Sequence, residues 1–302
     1  MSIVAKQPVD RSRKRQVRCE QLRQARQIHG GLVNMFGALL AIKLSRLPIP
    51  SRRLRLSVYR GAFAKKYPPG PNEFEAELPL WEYPSINALF TRGIKPECRP
   101  ICADDGQFLS PCDGTMQEIG PIVNGRIVTL KGIEYTLASL LPGMNVGAFE
   151  GGQYAVVFLS PVDCHRVFCP QDGALDQITH VPGHRLLVHP PCQTTHYPVY
   201  TLNERMILQL STPPGPCLLV MVAGWGVGNI TLPLLPGFKP RSGEIESHRW
   251  THPPPVRRGQ WLATFELGST VVLLTPPAAD IVSLIEPNAK VKYGQPLFRY
   301  PR

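Results

Sequence analysis

Three short segments set polar groups where apolar strands would otherwise run. "LSPCDGTM" (109–116) places Asp113 ahead of Gly114 at a turn. "VVFLSPVDCHRVFCPQDG" (156–173) ends an apolar run in Ser-Pro and then gathers Asp163, His165 and Arg166 within four positions. "TFELGSTVVLLT" (264–275) sets Gly268, Ser269 and Thr270 between two apolar stretches. Together they supply a carboxylate, an imidazole and a hydroxyl, the parts of an activated serine. Each also has a plain structural use: Asp-Gly as a turn, a histidine satisfied in a core, Gly-Ser-Thr as a hairpin corner.

The local context narrows what such a serine could attack. A hydrolytic serine on a strand-to-helix elbow needs G-x-S-x-G, whereas here G-S-T runs straight into β-branched residues. The nearest electrophile is the carbonyl of Gly268 itself. Attack there by Ser269 is an N-to-O acyl shift, and glycine at the scissile position permits the strained backbone that the shift needs.

The elements that must position these groups are β-strands. From about residue 107, short runs such as "YAVVFLS", "MILQLS", "CLLVMVA", "WLATFEL" and "TVVLLT" alternate with Pro/Gly turns. The 33 prolines and 26 glycines of the 302-residue chain suit many strands and tight turns. This predicts a mainly β (α+β) fold, an antiparallel β-sandwich or barrel-like core behind an N-terminal helical arm. Residues 1 to about 20 read as disordered, with helices over 20–45 and 51–66 and a Pro48–Pro50 turn between them. "SINALFTRGI" (85–94) reads as a short amphipathic helix capped by Ser85. The expected division is a basic amphipathic region, 1–75, and a core, 76–302.

Charge is segregated. Residues 1–66 hold 16 Lys and Arg against Asp10 and Glu20, a net of +14, which leaves about −3 for the rest of a chain whose total is +11. Basic clusters alternate there with apolar stretches, the pattern of helices lying on an anionic membrane surface. No zinc finger, RNP motif or evident helix-turn-helix supports nucleic acid. No run of roughly 18 apolar residues predicts a spanning helix; "LVNMFGALLAI" (32–42) is too short and too far from Met1 for an ordinary signal peptide. The eight cysteines form no CxxC or zinc-like quartet and read as small buried thiols in a reducing cytoplasm, with no metal site.

The chain resembles the phosphatidylserine decarboxylase family. "LGST" is similar to the family's self-cleavage motif, "FLSPVDCHRVFCPQDG" to its "LSPxDYHRxHxPxxG" block and "SPCDG" to its "SPxDG" turn. "KGIEYTLASLL", "YTLNERMIL", "GWGVGNI" and "KVKYGQPL" have counterparts in the same order. The resemblance implies a proenzyme that cuts itself between Gly268 and Ser269, giving a β chain (1–268) and an α chain (269–302) headed by a pyruvoyl group made from Ser269. That group would form a Schiff base with phosphatidylserine and release CO₂ and phosphatidylethanolamine, with no external cofactor. It further implies a homodimer at the cytoplasmic face of the cell membrane.

By the same resemblance, Asp113 takes the place of the acid of self-cleavage and His165 that of the histidine tied to decarboxylation. Arg205 and Gly228 are expected near the substrate, Arg205 either on the lipid phosphate or bracing the fold through Glu204. One position departs: the second histidine of the block, the family's usual base for self-cleavage, is Phe168 here. Either His165 serves instead, or His180, His184, His189 or His196 reaches in, or the chain stays an uncleaved homologue that binds anionic lipid.

Overall fold

A strand that is apolar at every position has both faces covered, because successive side chains point to opposite sides. The stretches 155–159 and 271–274 read this way; they belong to the Gln153–Leu159 and Ser269–Leu274 strands, which lie side by side in the largest sheet. The structure, a computed structural model, describes residues 11–28, 31–129, 132–188, 194, 196–225, 229–238, 240, 243–266 and 269–301.

The large sheet has nine strands, all paired antiparallel. Its order is Glu246–Arg249, Gly173–Val181, Arg205–Thr212, Gly215–Ala223, Ser269–Leu274, Gln153–Leu159, Gly114–Pro121 and Lys290–Val291, with Pro255–Val256 also on Gly173–Val181. Ser269–Leu274 therefore has a strand partner on each side. Val157, Leu159, Met221, Ala223, Val271 and Leu273 enter one core with residues from two small three-stranded sheets, among them Val167, Phe265, Phe108 and Phe298. Val156, Val220, Val222, Val272 and Leu274 enter a second core. It is closed by Leu137, Leu140, Val199 and Tyr200 from two short helices and by Ile127 and Tyr135 from a hairpin. Full burial of each Val or Leu contributes roughly 1.5–3 kcal/mol, so both faces of this sheet add to the stability of the molecule.

The mainly-β expectation holds, and the sheets are open. A barrel requires first and last strands to pair, whereas the large sheet ends on Glu246–Arg249 at one edge and Lys290–Val291 at the other. Of the cysteines, Cys112, Cys164, Cys169 and Cys217 are buried, Cys98 and Cys102 half-buried and Cys19 exposed.

Helices occupy the N-terminal part: Arg11–Ile28, Leu32–Leu44 and Arg52–Leu56, the last continuing as a π-helical Ser57–Phe63 into Ala64–Lys66. The first begins at Arg11, inside the stretch expected to be disordered. Its Gln- and Arg-rich composition carries adequate helix propensity without a sustained apolar face. Among the described residues no helix is long and apolar enough to cross a membrane. Val33, Phe36, Leu40, Leu44 and Leu47 are exposed. The chain after Leu44 is tied to the body by Asn87 N–H to Ser45 O (2.8 Å) and Ile49 N–H to Pro84 O (2.7 Å). The Ile86–Phe90 helix starts as the sequence predicts, with the Ser85 side chain accepting from Ala88 N–H at 3.1 Å.

Candidate active site

The strand register collects the chemistry at one end of the large sheet. Thr270 opposes Phe158 on one side and Val222 on the other; Val222 in turn opposes Arg205, and Arg205 opposes Val181. One row further out, Ser269 sits between Leu159 and Ala223. Asp113 immediately precedes the Gly114–Pro121 strand, and the loop holding Asp163 and His165 follows Leu159. Asp113, His165 and Ser269 thus come from three adjacent strands at the same end. Gly268, Gly228, Lys131 and His189 lie outside the described residues.

His165 is fully buried, and its surroundings fix its protonation. Its Nδ1 is 3.0 Å from the carbonyl of Asp163. A carbonyl only accepts, so Nδ1 carries the hydrogen and Nε2 is left as a bare lone pair. Nε2 has no hydrogen-bond partner among the described residues. Burial, chiefly, pushes the imidazole down to about 3; the Asp163 carbonyl opposes that shift and the Arg92 charge adds to it. At neutral pH this is an uncharged, oriented base.

The loop geometry follows from its own sequence. Pro161 suits the turn, Asp163 N–H donates to Ser160 O (3.0 Å), and the Asp163 carboxylate accepts from Ser160 N–H (2.7 Å). Buried Arg92 grips the loop from beneath through the carbonyls of Val162 (2.6 Å) and Asp163 (3.4 Å). Phe90 packs on the His165 ring with centroids 4.8 Å apart. The His165 carbonyl accepts from Phe265 N–H at 3.0 Å, which ties the imidazole-bearing loop to the strand that leads into the Gly268–Ser269 corner.

Asp113 is saturated. Arg99 donates to it through Nε (3.0 Å) and Nη2 (2.5 Å), and Tyr293 N–H donates at 2.9 Å. Arg99 Nη2 also reaches Glu75 at 2.8 Å. Among the described residues no histidine bonds this carboxylate. Gly114 beside it answers to close packing as much as to a turn: a Cβ there would stand 2.4 Å from the Phe158 carbonyl oxygen. Phe168 stacks on Tyr293 (centroids 3.7 Å apart, 14° between planes), and its N–H donates to Pro111 O (2.7 Å). The departure noted in the sequence therefore stands near the acid, separated from it by Tyr293. Burial foremost pushes the Tyr293 phenol up to about 12.

Arg205 is engaged differently from both expected roles, for it braces the fold without Glu204 and is not open to a lipid phosphate. It is buried and donates to the carbonyls of Leu140 (2.8 Å), Thr201 (3.0 Å), Asn203 (3.1 Å) and Ser139 (2.8 Å). Desolvation lowers its pKa to about 10. It braces two short helices against the sheet, and a lipid phosphate would have to displace those bonds. The bracing runs through carbonyls; Glu204 instead accepts from His180 Nε2 (3.1 Å) and from Arg185 (2.8 and 3.0 Å). That leaves His180 engaged with Glu204 and His196 against Tyr197. Sequence reasoning missed Arg99, Tyr293 and Arg92, which contact the site residues from distant segments with no local motif to mark them.

The resemblance implies a pyruvoyl group at position 269. Next to it in the register lie Thr270 and Ser160, whose hydroxyl oxygens are buried without partners among the described residues, and the loop after Ser160 carries the open Nε2 of His165. An open hydroxyl can donate to a small carbonyl-bearing group, and the bare nitrogen can accept a proton from an amine joined to it, so the residues fit.

Fold and site together define a mainly-β protein that sets an uncharged imidazole and a serine opening a central strand at the same end of one sheet. Comparison with known proteins makes the class specific. The family model described as Phosphatidylserine decarboxylase matches residues 86–299, and the chain belongs to that family. It is similar to the phosphatidylserine decarboxylase proenzyme of Anaeromyxobacter sp. (strain K), 36% identical over 270 residues, 86% of this chain and 92% of the relative. It is also similar to the proenzymes of Bordetella avium (strain 197N), 36% identical over 71% of this chain and 74% of the relative, and of Shewanella frigidimarina (strain NCIMB 400), 34% identical over 74% and 82%.

Proposed function

We propose that the chain is a self-processing proenzyme that decarboxylates phosphatidylserine to phosphatidylethanolamine, and that His165 supplies the base for its maturation in place of the histidine missing at Phe168. The observation that carries this reading is the bare, buried Nε2 of His165 on a loop bonded to the strand entering the cleavage corner. Ser269 Oγ attacks the Gly268 carbonyl while its proton passes to His165 Nε2, and the Gly268–Ser269 peptide bond gives way to an ester. Loss of the Ser269 Cα proton expels the Gly268 carboxylate and leaves a dehydroalanine at 269, whose imine form takes up water and releases ammonia to give the pyruvoyl group. The β chain 1–268 and the α chain 269–302 result.

A pyruvoyl group at position 269 supplies the carbonyl that takes up electrons as the substrate carboxylate leaves as CO₂. The chain's own residues do the rest. His165 Nε2 accepts and returns the proton, the apolar packing of Phe90 and Phe168 keeps water away, and Thr270 offers its hydroxyl at the adjoining position. Asp113, paired with Arg99, fixes the Tyr293–Phe168 wall of the site.

The N-terminal region, 1–75, is read as the part that holds the protein peripherally on an anionic membrane, with Phe36, Leu40 and Leu44 inserted and its basic residues on headgroups. The family resemblance adds a homodimer at the cytoplasmic face of the cell membrane. A second reading, an uncleaved lipid-binding homologue, is favoured by one observation, the phenylalanine stacked where the family block carries histidine.

The intact mass of purified protein separates the two. The proposed enzyme shows a β chain ending at Gly268 and an α chain blocked at its N-terminus; a single full-length mass supports the second reading. Ser269→Ala should stay whole and inactive, and a cleaved Ser269→Ala protein would sink the mechanism.

A further inference from the structure

The basic N-terminal region and the cleavage corner meet at one ion pair. Arg46, just past the Leu32–Leu44 helix, donates Nη2 to the Glu266 carboxylate at 2.8 Å. Glu266 lies three residues ahead of Ser269, which limits their Cα separation to roughly 11 Å. Its own N–H donates to Asn229 O at 2.9 Å. On either side of Arg46, Ser45 and Ile49 are bonded to residues 84–87, at the start of the helix whose Phe90 packs on His165. Arg46 is thus held beside the corner while its own side chain stays exposed, and its neighbours Leu44 and Leu47 are exposed too.

We propose that Arg46 receives the phosphodiester of the lipid substrate at the mouth of this site, releasing Glu266 to do so. The inference rests on the decarboxylase reading above. A guanidinium fork matches phosphate oxygens in pairs. An exposed ion pair contributes little to stability, so exchanging Glu266 for a phosphate costs little. In phosphatidylserine the phosphate is only a few bonds from the reacting amine, so its contact must stand within a headgroup's length of position 269. Arg46 is tied through Glu266 to the segment that leads to position 269, whereas Arg205 is buried and spent on carbonyls. Leu44 and Leu47 place apolar surface for the start of the acyl chains at the same point.

The test uses dihexanoyl phosphatidylserine below its micelle concentration, so that no bilayer is present for the N-terminal helices to bind. Arg46→Ala is expected to raise KM about tenfold, with Arg46→Lys in between because a point charge lacks the fork. Glu266→Gln, which frees Arg46, should lower KM. Calorimetric titration of the mature protein with dihexanoyl phosphatidylethanolamine, which keeps the phosphodiester, should show a matching loss of affinity in Arg46→Ala. Unchanged KM and unchanged product affinity in that variant overturn the proposal. So does a defect confined to long-chain lipid in anionic vesicles, which would assign Arg46 to the bulk surface. A wild type that releases no CO₂ sinks the decarboxylase reading instead, and the product titration still decides Arg46.

Discussion

Asp113 and His165 stand at the same end of one sheet, both buried, yet they are finished differently. Every feature around Asp113 satisfies it: an arginine fork, a backbone N–H, a stacked aromatic wall. Around His165 one nitrogen is satisfied and the other is left open, in a place dry enough to keep the ring uncharged. A saturated polar group holds structure together, and a half-satisfied one retains capacity for chemistry. The family resemblance alone would rank the two side by side.

The sharpest way to break that comparison is His165→Ala. It should slow self-cleavage by about 10²–10⁴-fold, the usual worth of a positioned base, as followed by the appearance of α chain on denaturing gels. Asp113→Asn should act mainly on the fold. It deprives a buried arginine of one of its two carboxylates, so a loss of about 3 kcal/mol is expected in denaturant melts. If Asp113→Asn keeps full stability yet cleaves as slowly as His165→Ala, the division of roles is wrong.

Protonation gives a third test. In the unfolded chain His165 titrates near its ordinary 6.5, and in the folded protein it resists protonation down to about 3. Its contribution to stability is therefore complete above pH 6.5 and lost as pH falls toward 3, a difference on the order of 5 kcal/mol. Melting at stepped pH should show His165→Phe losing less on acidification than wild type. Self-cleavage should show no inflection near pH 6.5 from this group. Phe168→His has the smallest expected effect, an acceleration of maturation by about tenfold, since a new imbiber of protons would sit against Tyr293 near Asp113. An unchanged rate would show that position 168 has lost its route to Ser269 in this chain.

Much of this site could be read in the sequence, but only in pieces. The Ser85 cap, the Ser160–Asp163 turn and the unbroken Val/Leu run after Thr270 follow from local rules, and the structure has all of them. The ordered motifs brought Asp113, His165 and Ser269 into one family frame. What no local pattern shows is who partners whom. Arg99 reaches Asp113 across 14 residues, and Tyr293 reaches it across 180. Arg205 looks available on paper because half of the carbonyls that absorb it, those of Ser139 and Leu140, lie some 65 residues away in sequence. Open sheet against barrel is likewise decided by edge strands only a few residues long, too short to carry a pattern.

The position of the Ser269–Leu274 strand decides what a cut at its head would leave behind. Ladder hydrogen bonds to Leu159 through Tyr154 on one flank and to Ala223 through Leu218 on the other grip it from its first residue. A cut at its head would leave both fragments locked in one particle that runs as a single species in gel filtration. Once melted, however, the two pieces would have to find each other again in solution, so a protein that folded as one chain could be rebuilt only at a rate set by its concentration. Scission would make this molecule a one-way fold.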